Sequence, residues 1–252
     1  MTSSGQIMKL PELMEIIRTL KLRGMAQALQ QELQRAETQG LSHPELLHGL
    51  LQAEANHRRE QSLKWRILQA KLPWDWTLQS FPFSRQPGVS KTQIMTLAGL
   101  EFIERADNLV FIGDPGTGKS GLAIGLMREA LANGYRGRFY KAQDLLDELY
   151  ASIADRSTPR LIRKLARYAL LIIDELGYLT LKPEQANAFF KLMDERYARK
   201  STILTTNLPY SEWYGLFERK SLVDALLDRL KHHCITIHIK GPSLRKSKPD
   251  PS

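Results

Sequence analysis

Cysteine is almost missing from this chain. Cys234 is the single one in 252 residues, which excludes an internal disulfide and a cysteine-rich zinc site and suits a reducing compartment. The six histidines show no metal-ligand spacing, and His232 and His233 beside Cys234 read as structural or exposed side chains. No apolar run approaches the ~18 residues of a membrane span. No apolar segment follows the first basic residue, Lys9, so no secretory leader is expected and the protein is expected to be cytoplasmic. Acidic residues are outnumbered, with 27 Asp+Glu against 36 Lys+Arg and a net charge of +9. A surplus of that sign points to a polyanionic partner, nucleic acid first and an anionic membrane surface second. The surplus is uneven. Residues 1–108 hold 13 Lys+Arg and 11 Asp+Glu, a net +2, which leaves 23 and 16, a net +7, for residues 109–252.

What is present centres on residues 109–120. The apolar run Leu109-Val110-Phe111-Ile112 ends in Gly113-Asp114-Pro115-Gly116-Thr117-Gly118-Lys119-Ser120. This is the G-x-x-x-x-G-K-[ST] pattern of a phosphate-binding loop. Glycines let successive N–H groups turn inward on one anion. Lys119 would reach the β- and γ-phosphates of ATP, and Ser120 would offer its hydroxyl to Mg²⁺. The next run carries Leu122, Ile124, Leu126, Met127 and Ala130 and stops at Gly134, so a helix is expected to add its positive N-terminal end.

Before the loop, Leu10, Leu13, Ile16, Ile17 and Leu20 follow helical spacing, Gly24 interrupts, and Met25, Ala28, Leu29 and Leu33 resume it until Gly40. A second helix is expected from Ser42 or Pro44 to Pro73. Its basic second half, with Arg58, Arg59, Lys64 and Arg66, fits a solvated face or a nucleic-acid contact. Residues 73–100 then form an aromatic linker with Trp74, Trp76, Phe81 and Phe83, whose rings are expected to pack on the following domain. Residues 90–105 read as one helix.

After the loop, residues 137–142 read as a short strand and 143–153 and 158–168 as helices. On the second of these, Arg160, Arg163, Lys164 and Arg167 fall on one side and Leu161, Leu165 and Ala169 on the other. The stripe fits a solvated helix or a phosphate-backbone contact with DNA, and the local charge favours the DNA contact. Leu170-Leu171-Ile172-Ile173-Asp174-Glu175 reads as a strand buried on both faces. Asp174 is placed to help hold Mg²⁺, and Glu175 to orient or deprotonate a water. A helix over 184–199 and a strand over 201–206 follow. Asn207 at that strand's tip could fix the water or sense the γ-phosphate, or simply form a turn. Ser221 is expected to cap a helix carrying Leu222, Val223, Leu226, Leu227 and Leu230. Arg229, at the border of that apolar stripe, reads either as an arginine finger or as one half of a surface ion pair. The last strand is 235–239, and the basic, proline-containing tail 240–252 is expected to be loose.

The loop GDPGTGKS together with LLIIDELGYL, TTNLPYSEW and DALLDRLKHH resembles the IstB-type ATPases. These are AAA+ proteins that assist insertion-sequence transposases and are related to the DnaC helicase loader. The resemblance covers nearly the whole chain. It implies an α/β AAA+ P-loop fold: a parallel five-stranded sheet flanked by helices, a small N-terminal helical domain and no C-terminal lid. It places the strand ending at Asn207 between those ending at Gly113 and Asp174. It makes Asp174 the Mg²⁺ acid, Glu175 the catalytic acid, Asn207 the first sensor, Arg229 the finger supplied to a neighbouring subunit, and Arg245 a second sensor. The implied domains are 1–72, helical; 73–100, linker and lead-in helix; and 101–252, ATPase. The implied partners are DNA, held mainly through its backbone, a transposase, and further copies of the chain with ATP at their interfaces. A helicase loader, a nucleoside kinase and a non-hydrolysing ATP-gated scaffold are the alternatives, and the acid pair at 174–175 favours water over a nucleoside as acceptor.

Overall fold

Leucine and isoleucine at three- and four-residue spacing build the first helices. The computed structural model describes residues 10–177, 181–217 and 220–245, without the side chains of 221, 222, 230 and 231. The N-terminal residues 1–6, the cap given to Ser221, the inward positions Leu222 and Leu230, and the tail beyond Arg245 lie outside these. The chain divides into two compact units, Met1–Trp65 and Arg66–Ser252.

The first unit holds α1 (Leu10–Thr19), α2 (Arg23–Gln39) and most of α3 (His43–Ala70). Its core is Ile17, Leu29 and Leu50. Gly24 does not break the helix. The turn comes earlier, at Lys21 with φ +57°, and Gly24 lies in the first turn of α2. Its role is close approach, since a Cβ there would sit 2.6 Å from the Ala53 carbonyl and 2.7 Å from the Glu54 Cα on α3. Glu54, 6% exposed, accepts the N–H groups of Gly24 at 2.7 Å and Met25 at 3.3 Å. It thereby satisfies orphan donors at the start of α2, and Arg58 binds its other oxygen at 2.7 Å. Arg58, one of the basic residues weighed as a nucleic-acid contact, is thus tied within the unit. Gly24→Ala is expected to destabilise the protein by about 1–3 kcal/mol, because the obstructing atoms are backbone; thermal unfolding would measure it.

The division between the two units falls inside α3, after Trp65. The last turn of this helix belongs to the second unit, where Arg66 donates to the Leu131 carbonyl at 2.7 Å and Arg138 to the Gln69 carbonyl at 2.9 Å. The helix ends at Ala70, and Lys71 takes φ +52°.

The expected single helix over 90–105 is two, α4 (Lys91–Leu97) and α5 (Glu101–Glu104), with Leu100 at φ +67° between them. Ile94, Leu97, Leu100, Phe102 and Ile103 are all buried. On one continuous helix they would spread around its whole circumference, so the chain must turn to bury them together.

The second unit continues with β1 (Asn108–Gly113), α6 (Lys119–Ala132), β2 (Gly137–Lys141), α7 (Ala142–Ala154), α8 (Thr158–Ala166) and β3 (Leu170–Asp174). Then come α9 (Pro183–Arg196), β4 (Ser201–Thr206), α10 (Lys220–His232) and β5 (Cys234–Ile239). The five strands form one sheet in the order β2-β3-β4-β1-β5, every pair parallel. This is the parallel five-stranded α/β sheet the resemblance implies, with β4 between β1 and β3. Every residue of β3 and β4 is buried, as central strands covered on both faces require.

The aromatic linker packs against α6. A Cβ on Gly121 would come 3.2 Å from the Trp76 ring, one on Gly125 2.5 Å from Leu78, and one on Gly118 2.6 Å from the Phe81 ring. Gly121 and Gly125 therefore open the helix surface, and Gly118 the turn just before it, so that linker side chains lie directly on the backbone.

Candidate functional site

Parallel pairing sets the carboxyl ends of β1, β3 and β4 side by side, with Ile112 opposite Thr206 and Ile173 opposite Leu204. Ligands of open α/β sheets bind beyond such ends. The loop after β1 turns at Gly116 and Gly118, with φ +83° and +96°, values that favour glycine. Thr117 is buried and donates its hydroxyl to the Asp114 carbonyl at 2.8 Å, closing the loop from within. Lys119 opens α6, and its ammonium donates to the carbonyls of Gly113 at 2.6 Å and Asp114 at 2.8 Å.

The loop is braced from two distant parts of the chain. Gln86, fully buried, donates from Nε2 to the Thr117 carbonyl at 3.0 Å and the Pro242 carbonyl at 3.1 Å. The N–H of Leu244 donates to the Gly116 carbonyl at 2.8 Å.

Asp174 is buried behind the loop, 1% exposed. Its Oδ1 accepts the hydroxyl of Ser120 at 2.7 Å and that of Thr205. Burial pushes the Asp174 carboxyl up, against the hydrogen bonds from Thr205 and Ser120. Burial likewise lowers the Lys119 ammonium, opposed by the charges of Asp174 and Asp114. Glu175 is exposed, has φ +63° and lines the cavity. Asn207 also lines it, and its Oδ1 is buried without a hydrogen-bond partner, a polar atom that a bound group could satisfy.

The cavity these groups surround has a volume of about 610 Å³, enough for a nucleotide-sized ligand. Pro115, Gly116, Gly118, Lys119 and Ser120 of the loop line it, together with Glu175, Asn207 and Arg245. Gly113, Asp114 and Thr117 support the loop from behind.

Residues 16–251 match the family described as IstB-like ATP binding protein. The chain belongs to this family. This IstB-like chain is 37% identical over 234 residues to a Pseudomonas aeruginosa protein named as an ATP-binding protein of the insertion sequence IS21, covering 93% of this chain and 88% of the relative. It is 37% identical over 231 residues to a Geobacillus stearothermophilus protein named likewise for the insertion sequence IS5376, covering 92% of each. Its fold is similar to the crystal structure of the DnaC helicase loader, with a TM-score of 0.57 and 22% identity over 68% of this chain and 100% of that one. ATP binding is thus the property the family carries.

Two groups of expected site residues of the IstB-like protein lie apart from the cavity. Arg229 on α10 is not among the residues lining it. Its guanidinium pairs with Asp194 of α9 at 3.1 Å, lies 5.0 Å from the centre of the Phe190 ring, and donates to the Ala225 carbonyl at 3.2 Å. Arg160, Arg163 and Lys164 on α8 and Arg167 at its C-terminal cap are exposed, while Ile162 and Leu165 of α8 are buried. The four cations line a separate groove of about 720 Å³.

The cavity also recruits residues that sequence reasoning gave no site role. Trp74, Trp76 and Leu244 add apolar surface to its lining, and Lys141, Gln143, Thr205 and Thr206 line it as well. Trp76 both packs on α6 and lines the cavity, two uses that one aromatic residue in a linker does not separate. No helix among the described residues is long and apolar enough to cross a membrane.

Proposed function

We propose that this IstB-like protein is a DNA-binding ATPase that assembles with ATP at its subunit interfaces, remodels DNA and recruits or stimulates a transposase. One observation carries the reading: Lys119, Ser120, Glu175 and Asn207 converge on a single cavity while Arg229 stands outside it, as a group meant for another subunit would.

The donors fit Mg²⁺, since the Ser120 hydroxyl and the Asp174 carboxylate are hard oxygens 2.7 Å apart. Mg²⁺ held by them would neutralise charge on the phosphate oxygens. Lys119 exchanges the carbonyls of Gly113 and Asp114 for the β- and γ-phosphates. Glu175 takes the proton of the attacking water. The Asn207 amide orients that water through its unpartnered oxygen, which accepts, or the γ-phosphate through its N–H groups, which donate. Trp74, Trp76 and Leu244 offer the apolar surface an adenine ring needs, and Arg245 lies where it could meet phosphate. A neighbour's Arg229 completes the site, which makes assembly depend on ATP.

The stripe on α8 is the DNA contact, made to phosphates by its exposed cations. The relatives' names, drawn from insertion sequences, favour a transposase over a helicase as the client.

The test is DNA binding and assembly size, measured with and without ATP across a salt series. ATP should drive a large DNA-bound assembly. Arg163→Ala with Arg167→Ala should weaken binding on all sequences and flatten the salt dependence by roughly one unit of slope for each phosphate no longer neutralised. Monomers that bind DNA equally well with and without ATP would overturn the reading.

A further inference from the structure

We infer that Thr205 is a positioning residue: its hydroxyl locks Asp174 and Glu175 to the tip of β4, so that the strand carrying Asn207 sets the placement of both acids. The inference rests on the ATPase reading above and assigns a part of that site to a residue the motifs leave unused.

The geometry is specific. Thr205 is fully buried. Its Oγ1 accepts the backbone N–H of Glu175 at 2.9 Å and donates to Oδ1 of Asp174. The direction is forced, because an amide N–H can only donate and a carboxylate can only accept. One hydroxyl therefore commits its single proton to the first acid and a lone pair to the second. The carbonyl of the same residue accepts the N–H of Leu176 at 2.9 Å. Residue 205 thus holds three consecutive residues, 174 to 176.

These bonds begin where the pairing of β3 with β4 stops. The Cα pairing of β3 with β4 ends at Ile173 and Leu204. Past that point the chain leaves the strand through Glu175 at φ +63°, a conformation that a glutamate rarely adopts. Thr205 supplies the partner that holds it there. Gly177 then turns back onto the same tip, where a Cβ would sit 2.6 Å from Asn207 Oδ1 and 2.9 Å from Thr206 Oγ1. The acid turn and the Asn207 tip are accordingly in direct contact through Thr205 and Gly177. Threonine suits the task, because its β-branch restricts χ1 and full burial leaves the hydroxyl no water to bond instead.

Ser120 donates to the same oxygen of Asp174 from the phosphate loop at 2.7 Å. The carboxylate is therefore oriented from both sides, by the loop and by β4. Removing the Thr205 hydroxyl leaves Ser120 as the remaining donor and frees the Glu175 amide.

Thr205→Val keeps the shape and removes the hydroxyl, and Thr205→Ser keeps the hydroxyl. Binding of a fluorescent ATP analogue, measured across a Mg²⁺ titration and in chelator, is the primary readout. For Thr205→Val, affinity in chelator should match wild type within about twofold, whereas the Mg²⁺ requirement should rise and kcat fall by about 10–100-fold, the range of losses when a residue supporting a metal ligand is changed. KM should move far less than kcat, and Thr205→Ser should recover most of the loss. If Thr205→Val does not fold, Thr205→Ala, which introduces no larger group, reads the same quantities. A wild type with clear Mg²⁺ dependence and an indifferent Thr205→Val would overturn the inference alone, as would equal losses in Thr205→Val and Thr205→Ser. A wild type whose nucleotide affinity ignores Mg²⁺ would overturn the ATPase reading and this inference with it.

Discussion

Arg229→Ala is expected to lower ATP hydrolysis by about 10³-fold or more, the scale of removing an arginine finger, while nucleotide binding to the isolated subunit stays intact. Binding survives because the Arg229 side chain is absent from the cavity wall. The loss is large because a guanidinium is worth most where charge develops during phosphoryl transfer, in a site closed to water. Within its own subunit the arginine is held against Asp194 and Phe190. The ion pair is partly exposed, 34% on one side and 52% on the other. Such pairs are weak, about 0–1 kcal/mol, so a neighbour's γ-phosphate can draw the side chain away. A mixing experiment separates the two roles open to Arg229. Arg229→Ala and Glu175→Gln proteins should each be inactive alone. Mixed, they form some interfaces with an intact Glu175 on one side and an intact Arg229 on the other, and hydrolysis should return. Normal hydrolysis by Arg229→Ala would reduce the residue to the partner of Asp194. Inactivity that mixing does not relieve would remove the finger from the neighbour's site.

The second large effect is on stability. Arg196, 1% exposed, closes α9 with four hydrogen bonds. Nε donates to Thr202 Oγ1 at 3.0 Å, Nη1 to the carbonyls of Leu165 at 3.0 Å and Tyr168 at 2.9 Å, and Nη2 to the Ser201 carbonyl. Burial pushes the guanidinium down to about 9, which leaves it charged at neutral pH, and no carboxylate pairs with it among the described residues. It ties the end of α8 to the first residues of β4. Arg196→Ala removes a donor from four acceptors, of which the Leu165 carbonyl keeps the Tyr168 N–H at 3.3 Å; each one left unsatisfied is worth roughly 1–3 kcal/mol. A net loss on the order of 3–5 kcal/mol is expected, a large share of the 5–15 kcal/mol typical of a whole domain. Arg196→Lys should rescue little, because an ammonium cannot span acceptors laid out for a planar fork. Urea denaturation measures both, and a loss below about 1 kcal/mol for Arg196→Ala would mean that water can replace the guanidinium.

The parts of the site that the sequence discloses are those whose chemistry is local. Gly113–Ser120 is readable because the loop's shape and charge lie within one short stretch. The stretch from Leu170 to Asp174 is readable because a strand buried on both faces must be apolar throughout. The resemblance supplies the placement of β4 between β1 and β3, which no local pattern contains. The remainder depends on what folding brings together. Glu54 caps α2 from another helix, and Asp194 meets Arg229 across two helices far apart in the chain. Thr205 looks like one more residue of a buried strand until its hydroxyl is seen to bridge Asp174 and Glu175. The break at Leu100 follows from five apolar side chains competing for one core, a competition that helical spacing does not register.

The bracing of the phosphate loop has a consequence for synthesis. Gln86 joins Thr117 to Pro242, and Leu244 joins Gly116 from the far side. The loop itself emerges from the ribosome more than a hundred residues before its last supports. A nascent chain therefore carries the nucleotide motif, closed from within by Thr117 and Asp114, before the contacts that brace it from outside can form. Chains cut short before Pro242 would keep the motif and lose the braces at Pro242 and Leu244.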